Sequence, residues 1–225
     1  MEFDLKTHSV REVNQALHDL PKDQETEVVV NGISGDHNIA VGMDQPAKIT
    51  LNGHVGYFCA GMNKEAEIVI NGNAGQGLAE NMMSGKVHVK GNASQSAAAT
   101  AHGGLLVVDG DAAARCGISM KGVNIVVKGS VGHMSAFMGQ SGCLVVCGDA
   151  GEALGDSLYE AHLYVKGTVA SLGADCIEKE MRPEHVEELS ALLKEAGCDD
   201  DPHDFTRYGS ARQLYTFKVD NASAY

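Results

Sequence analysis

Aliphatic residues recur along the chain in a phrase of the form aliphatic-x-aliphatic-x-Gly, which appears eight times between residue 28 and about residue 176. The glycines that end the phrases are Gly32, Gly53, Gly72, Gly91, Gly110, Gly129, Gly148 and Gly167. The first interval is 21 residues, and the other six are all 19 residues. A fixed period of about 20 residues indicates one structural unit per repeat, stacked on its neighbours around a continuous core.

The aliphatic positions lie four and two residues before each glycine, and all sixteen are Val, Ile or Leu. This spacing is that of a β-strand whose alternate side chains point into one core. Two and three residues after the glycine, most residues are Gly, Ala, Val or Ser, which indicates a tight corner. The sequence therefore predicts an all-β fold, a single-stranded right-handed β-helix of about eight 19-residue coils. The left-handed alternative is built on hexapeptides, and 19 is not a multiple of six.

Two further columns point outward on the predicted strands. The residue just before the glycine is Asn in the first three phrases and then Lys, Asp, Lys, Cys and Lys, which predicts an amide ladder and charge pairs between coils. Three residues before the glycine the column is rich in valine. We interpret it either as a surface covered by another subunit or as residues chosen for strand propensity. The candidate partner interface comprises Val69, Val107, Val126, Val145, Tyr164, Arg212 and Tyr215.

Short helices are predicted at both ends of the β-helix. Residues 1–27 contain a capping box, Ser9 with Glu12, and then apolar residues at helical spacing as far as Pro21. This helix would cover the open edge of the first coil. The β-helix occupies residues 28–176. Residues 177–225 contain a helix that begins near Pro183 and ends at Gly197, and then an aromatic and basic tail that we expect to dock on its own helix or on a partner.

Composition narrows the functional classes. A chain of 225 residues with a net charge of −13 lacks the basic surface that nucleic acid or an anionic membrane requires. The N-terminus has no apolar signal-peptide segment, and no stretch of about 20 apolar residues is present. We therefore expect a cytoplasmic protein that binds neither nucleic acid nor a membrane.

The positions of the cysteines and histidines in the sequence do not identify a disulfide or a metal site. The six cysteines show no CxxC pair, and we expect free thiols, buried or half-buried. No two of the ten histidines occupy one column in adjacent coils, although a metal site built across coils or between chains stays open. No catalytic, cofactor-binding or metal-binding residue is assigned.

The corners carry a resemblance to a known family. They read Gly53-His54-Val55-Gly56, Gly72-Asn73-Ala74-Gly75, Gly129-Ser130-Val131-Gly132 and Gly148-Asp149-Ala150-Gly151. The chain resembles the GXGXG β-helix domain of the glutamate synthase alpha subunit across residues 28–176. Its Arg212-Gln213-Leu214-Tyr215 tail is similar to the separate middle subunit of split glutamate synthase-like enzymes, such as N-methylglutamate synthase.

The resemblance implies a non-catalytic scaffold in a hetero-oligomer. Its partners would be a glutamine amidotransferase-like subunit and a synthase subunit that carries FMN and an optional iron–sulfur cluster, while this chain alone binds no cofactor. The implied overall reaction converts methylamine and glutamate into N-methylglutamate and ammonia. The alternatives are glutamate synthase proper, a protein like the β-helix subunit of formylmethanofuran dehydrogenase, and a β-helix enzyme that acts alone.

Overall fold

A computed structural model describes residues 1–213 and contains eleven strands and two α-helices in that range. The strands are β1 (Glu2–Asp4), β2 (Thr26–Ser34), β3 (Ala47–His54), β4 (Glu67–Asn71), β5 (Lys86–Val89), β6 (Leu105–Val108), β7 (Lys121–Val127), β8 (Ser141–Val146), β9 (His162–Val165), β10 (Cys176–Lys179) and β11 (Thr206–Ser210). The helices are α1 (Val10–His18) and α2 (Pro183–Ala196), and a 3-10 turn spans Pro202–Asp204.

The strands form one sheet in the order β1 to β9, then β11 and β10. All pairs from β1 to β9 are parallel, and each strand pairs with the next coil of the chain. The fold is therefore a parallel β-solenoid, as the repeat predicts. It has about seven turns, a slightly lower number than the eight expected from the eight phrases.

The two predicted inner columns form the core of the solenoid. Register pairs join Ile49 to Ile68, Ile68 to Val87 and so on along the stack, as the spacing of 19 requires. All sixteen side chains are at most 1% exposed. At about 1.5–3 kcal/mol for each fully buried aliphatic side chain, these columns are the main source of stability.

The glycine corners bring successive coils into close contact. A Cβ added at Gly72 would lie 2.3 Å from the carbonyl oxygen of Gly53, which shows that the glycine is required by packing. After six of the eight glycines, the side chain of the next residue accepts a hydrogen bond from the backbone N–H of the equivalent residue one coil later. The acceptors are His54, Asn73, Asn92, Asp111, Ser130 and Asp149.

In a second segment of each coil, the backbone φ angle is positive at every second residue. Positions five, seven and nine after the glycine have positive φ in several coils, as at Ser96, Ala98 and Thr100. Such a conformation is uncommon for residues with a Cβ. Hydrogen bonds to neighbouring coils hold it: the N–H groups of Ser96 and Thr100 donate to the following coil, and that of Ala98 donates to the preceding coil.

Both ends of the solenoid are covered. Helix α1 has the predicted capping box between Ser9 and Glu12, and it buries Val13 and Leu17 completely. At the other end, the first part of the tail docks as strand β11, which pairs antiparallel with β9 and β10. Neither helix in the described residues has the length and apolar character needed to cross a membrane.

Candidate functional site

Helix α2 covers the valine-rich outer column of the solenoid. Val107, Val126, Val145 and Tyr164 are fully buried in a second apolar cluster with Leu189, Leu192, Leu193 and Phe205. The expectation that these four positions are covered by another subunit is therefore corrected: the covering element is α2 of the same chain. Their burial against α2 leaves them no surface for a partner while the helix is in place.

The other three predicted interface residues lie elsewhere. Val69 is on β4, half-buried and outside the cluster beneath α2. Arg212 is exposed, and its Nη2 atom lies 2.7 Å from Oε2 of Glu160. Tyr215 lies outside the described residues. The structure does not bring the six predicted interface residues that it describes together into one surface.

A polar network joins α2 to the last regular coils. The Glu188 carboxylate lies 2.8 Å from Nδ1 of His162 and accepts a hydrogen bond from the Tyr164 hydroxyl. Burial alone would raise the pKa of Glu188, but the hydrogen bonds from Tyr164 and His162 outweigh it and lower the pKa. The Cys143 thiol lies beside the same carboxylate.

The grouping of Cys143, His162 and Glu188 has the composition of a cysteine nucleophile with a supporting base. However, Cys143 is only 4% exposed, and burial together with the Glu188 charge raises the pKa of its thiol far above the ordinary value. The thiolate is the nucleophilic form of cysteine. The geometry therefore suits this group to holding α2 in place, not to nucleophilic catalysis.

A second group lies where α2 ends. The Sγ atoms of Cys147, which directly follows β8, and Cys198, which follows the helix C-cap, are 3.7 Å apart. The Cys198 thiol lies 3.1 Å from Oδ2 of Asp200, and Lys166 lies 2.7 Å from the other carboxylate oxygen. We call Cys147, Cys198 and Asp200 the thiol cluster. All six cysteines, which fall within the described residues, are free, as the sequence predicts.

A small basic cavity of about 220 Å³ opens between β9, β11 and the start of α2. Four of its lining side chains are cationic, namely Lys179, Arg182, Arg207 and Arg212. The Nε atom of Arg207 is buried and makes no hydrogen bond within the described residues. Glu160 also lines the cavity and pairs with Arg212, so the four cations leave an excess of positive charge that favours contact with an acidic group.

Comparison with known proteins places the chain in a family. No family model matches it. It is similar to Protein GlxC of Rhizobium meliloti (strain 1021), with 60% identity over 225 residues that cover 99% of each chain. The chain belongs to the GlxC family.

Sequence reasoning missed both polar groups of this GlxC-family chain. Cys143 and His162 each stand five residues before a repeat glycine and therefore occupy the same position in adjacent coils. A search of that position for neighbouring polar residues of different types would have found the pair. The thiol cluster has a weaker signal. Cys147 belongs to the outer column, but Cys198 follows α2, and its position depends on how the helix packs.

Proposed function

We propose that the chain is a non-catalytic structural subunit of a glutamate synthase-like complex and acts in the cytoplasm. The observation that carries this proposal is the parallel β-solenoid with a glycine corner in each coil, since these corners are the basis of the resemblance to the GXGXG domain. The buried state of Cys143, the candidate nucleophile, supports a scaffold over a solitary enzyme.

The finer form of the proposal is N-methylglutamate synthase. In it, the chain joins a glutamine amidotransferase-like subunit to an FMN-containing synthase subunit. The complex would use methylamine and glutamate to produce N-methylglutamate and ammonia. The chain's own part is to hold the two catalytic subunits at a fixed separation, for which a rigid stack of coils is well suited.

Two surfaces support contact with other proteins. Tyr57, Phe58 and Met62 are 52%, 43% and 51% exposed within one coil, which is unusual for large apolar side chains. The basic cavity beside Arg212 offers charge complementarity to acidic side chains. The exposed coil lies outside the cluster beneath α2, whereas the start of α2 forms part of the wall of the cavity.

The test is purification of the tagged full chain from its own cells at native abundance, followed by native mass measurement and an absorbance spectrum. We expect two larger partners, a flavin spectrum and formation of N-methylglutamate from methylamine and glutamate. A colourless chain without partners would overturn the proposal. As a surface test, Tyr57→Ser with Met62→Ser should reduce partner recovery, whereas the same changes should leave the unfolding temperature nearly unchanged.

The same sample distinguishes the alternatives. A flavin complex that makes glutamate from glutamine and 2-oxoglutarate would indicate glutamate synthase proper. Molybdenum or tungsten in place of flavin would indicate a formylmethanofuran dehydrogenase-like assembly. Turnover by the isolated chain would indicate an enzyme that acts alone.

A further inference from the structure

The thiol cluster places two cysteine sulfurs and one carboxylate oxygen within 4.8 Å of one another, from two separate parts of the chain. Cys147 comes from the strand stack, and Cys198 with Asp200 comes from the segment after α2. We propose that Cys147, Cys198 and Asp200 bind a zinc ion that fastens the C-terminal end of α2 to the solenoid. This proposal does not depend on the partner subunits, and it replaces the expectation that the chain has no metal ligand.

The separation of the two sulfurs matches a tetrahedral zinc site, and the separation of sulfur and carboxylate oxygen is somewhat shorter than such a site requires. Zinc–sulfur bonds of about 2.3 Å at a tetrahedral angle place two sulfurs about 3.8 Å apart, and the observed separation is 3.7 Å. A sulfur and a carboxylate oxygen on the same ion would lie about 3.6 Å apart, and the Cys198 to Asp200 separation is 3.1 Å. A disulfide would require the two sulfurs to approach by about 1.7 Å. Metal binding therefore needs the smaller movement.

Neighbouring charges are suited to the bound state. Two thiolates and one carboxylate around Zn²⁺ carry a net charge of −1, once the two thiol protons have passed to solvent. Lys166 binds Oδ1 of Asp200 at 2.7 Å and so leaves Oδ2 directed at the sulfurs. Lys128 reaches the carbonyl of Gly197, next to Cys198, at 3.2 Å. Such outer contacts orient metal ligands and compensate their charge.

The group of Cys143, His162 and Glu188 is a weaker candidate for a metal. There the Oε2 atom of Glu188 already bonds to both Nδ1 of His162 and the Tyr164 hydroxyl. An ion would have to displace the Tyr164 hydroxyl, which is not one of its ligands, from Oε2 of Glu188. In the thiol cluster, the contacts that an ion would replace are only those among its own ligands, Cys147, Cys198 and Asp200, and the ion takes the place of the two thiol protons.

Three protein ligands leave one position of a tetrahedral zinc ion for water or for a group from a partner. The ion would join residues 147 and 198 directly, and both lie at the C-terminal end of α2, where Gly197 ends the helix in the left-handed conformation. The expected consequence is stabilisation of the helix on the valine column.

The experiment uses the full chain, purified under reducing conditions without a chelator, with zinc measured by mass spectrometry of the elements. We expect about one zinc per chain, and replacement of zinc by Co²⁺ should give the strong visible bands of a tetrahedral cobalt–thiolate centre. Addition of one equivalent of zinc to the metal-free chain should raise the unfolding temperature.

Matched variants locate the site. Cys147→Ser and Cys198→Ser should each lose the cobalt–thiolate bands and the zinc-dependent rise in unfolding temperature. Cys176→Ser, which changes a buried cysteine outside the cluster, should keep both. Lys166→Met should weaken zinc affinity roughly 10–100-fold, as loss of an outer contact does.

Three results would overturn the proposal. The first is a metal-free chain whose Co²⁺ titration yields no cobalt–thiolate bands. The second is a zinc response that survives in both Cys147→Ser and Cys198→Ser. The third is a Cys147–Cys198 disulfide in chain purified without exposure to oxygen, since it would leave no thiolates to bind an ion.

Discussion

The Lys128 ammonium lies 2.8 Å from the carboxylate of Asp109, its neighbour one coil earlier in the outer column. Lys90, on the other side of Asp109, lies 3.5 Å away, and His88 lies 2.9 Å away. This arrangement confirms the charge pairs expected from the alternation of Lys and Asp. Lys128 also donates to the carbonyl of Gly197, so the outer column helps to hold α2.

The Asp109 contacts predict a pH dependence. Burial alone would raise the pKa of Asp109, but hydrogen bonds from Lys128 and His88 outweigh it and hold the pKa at about 2. A carboxyl whose folded pKa is depressed contributes stability above its unfolded pKa of about 4 and loses it as the pH falls toward the folded value. Asp109→Asn should therefore lower the free energy of unfolding at neutral pH by about 1 kcal/mol, a value reduced for solvent screening.

Urea denaturation of the wild-type chain and of Asp109→Asn checks this prediction. The difference between them should shrink as the pH falls from about 4 to about 2. Lys128→Met should reproduce part of the loss at neutral pH. An Asp109→Asn chain with the same stability difference at every pH would contradict the proposed role of the ion pair.

Replacing a corner glycine even by alanine should lower the free energy of unfolding substantially. In Gly72→Ala, the added Cβ would lie 2.3 Å from the Gly53 carbonyl oxygen and 2.6 Å from its carbon. Backbone atoms of the neighbouring coil cannot move aside without disturbing the stack, so we expect a loss of about 3 kcal/mol, the upper part of the usual range for overpacking. Thermal unfolding measures it. The control is Gly209→Ala, whose nearest contact would be 3.5 Å away and whose cost should be small.

The asparagine ladder predicts that the loss of stability in an Asn→Ala variant increases with the number of ladder hydrogen bonds removed. Asn52 donates to Asn31 at 2.7 Å and accepts from Asn71 at 2.8 Å, which confirms the amide ladder expected from the sequence. Asn52→Ala removes both hydrogen bonds and should cost about 1–3 kcal/mol, at about 0.5–1.5 kcal/mol for each. Asn71→Ala removes one and should cost about half as much in chemical denaturation. Equal costs would indicate that the ladder is not the source of the stability.

Because the outer column is buried beneath α2, a charged residue introduced into this column should displace that helix. Val126→Lys places an ammonium beneath α2, where burial of an unpaired charge costs several kcal/mol. We expect α2 to loosen while the inner columns stay folded, which faster amide hydrogen exchange across residues 183–196 would reveal. Val69→Lys is the matched control, because Val69 occupies the same column outside the cluster beneath α2. Unchanged exchange in α2 would contradict the packing of the helix on this column.

The repeat by itself determined the parallel stack, the sixteen buried aliphatic positions and the glycine corners. These features are local or repeat at a fixed period, so each coil has the same register with the next. The capping box of α1 and the left-handed Gly197 that ends α2 were likewise predictable, because caps depend on residues close in sequence.

Only the tertiary structure decided what covers the outer column and which polar groups meet there. Val107, Val126 and Val145 are apolar in any case, but a sequence does not say whether their cover is the same chain or another. Cys147 and Cys198 are 51 residues apart, and they meet because α2 packs back along the strands. Contacts of this kind depend on how α2, which is not part of the repeat, packs on the surface that the repeats form. The period of the repeat carries no information about the position of this helix.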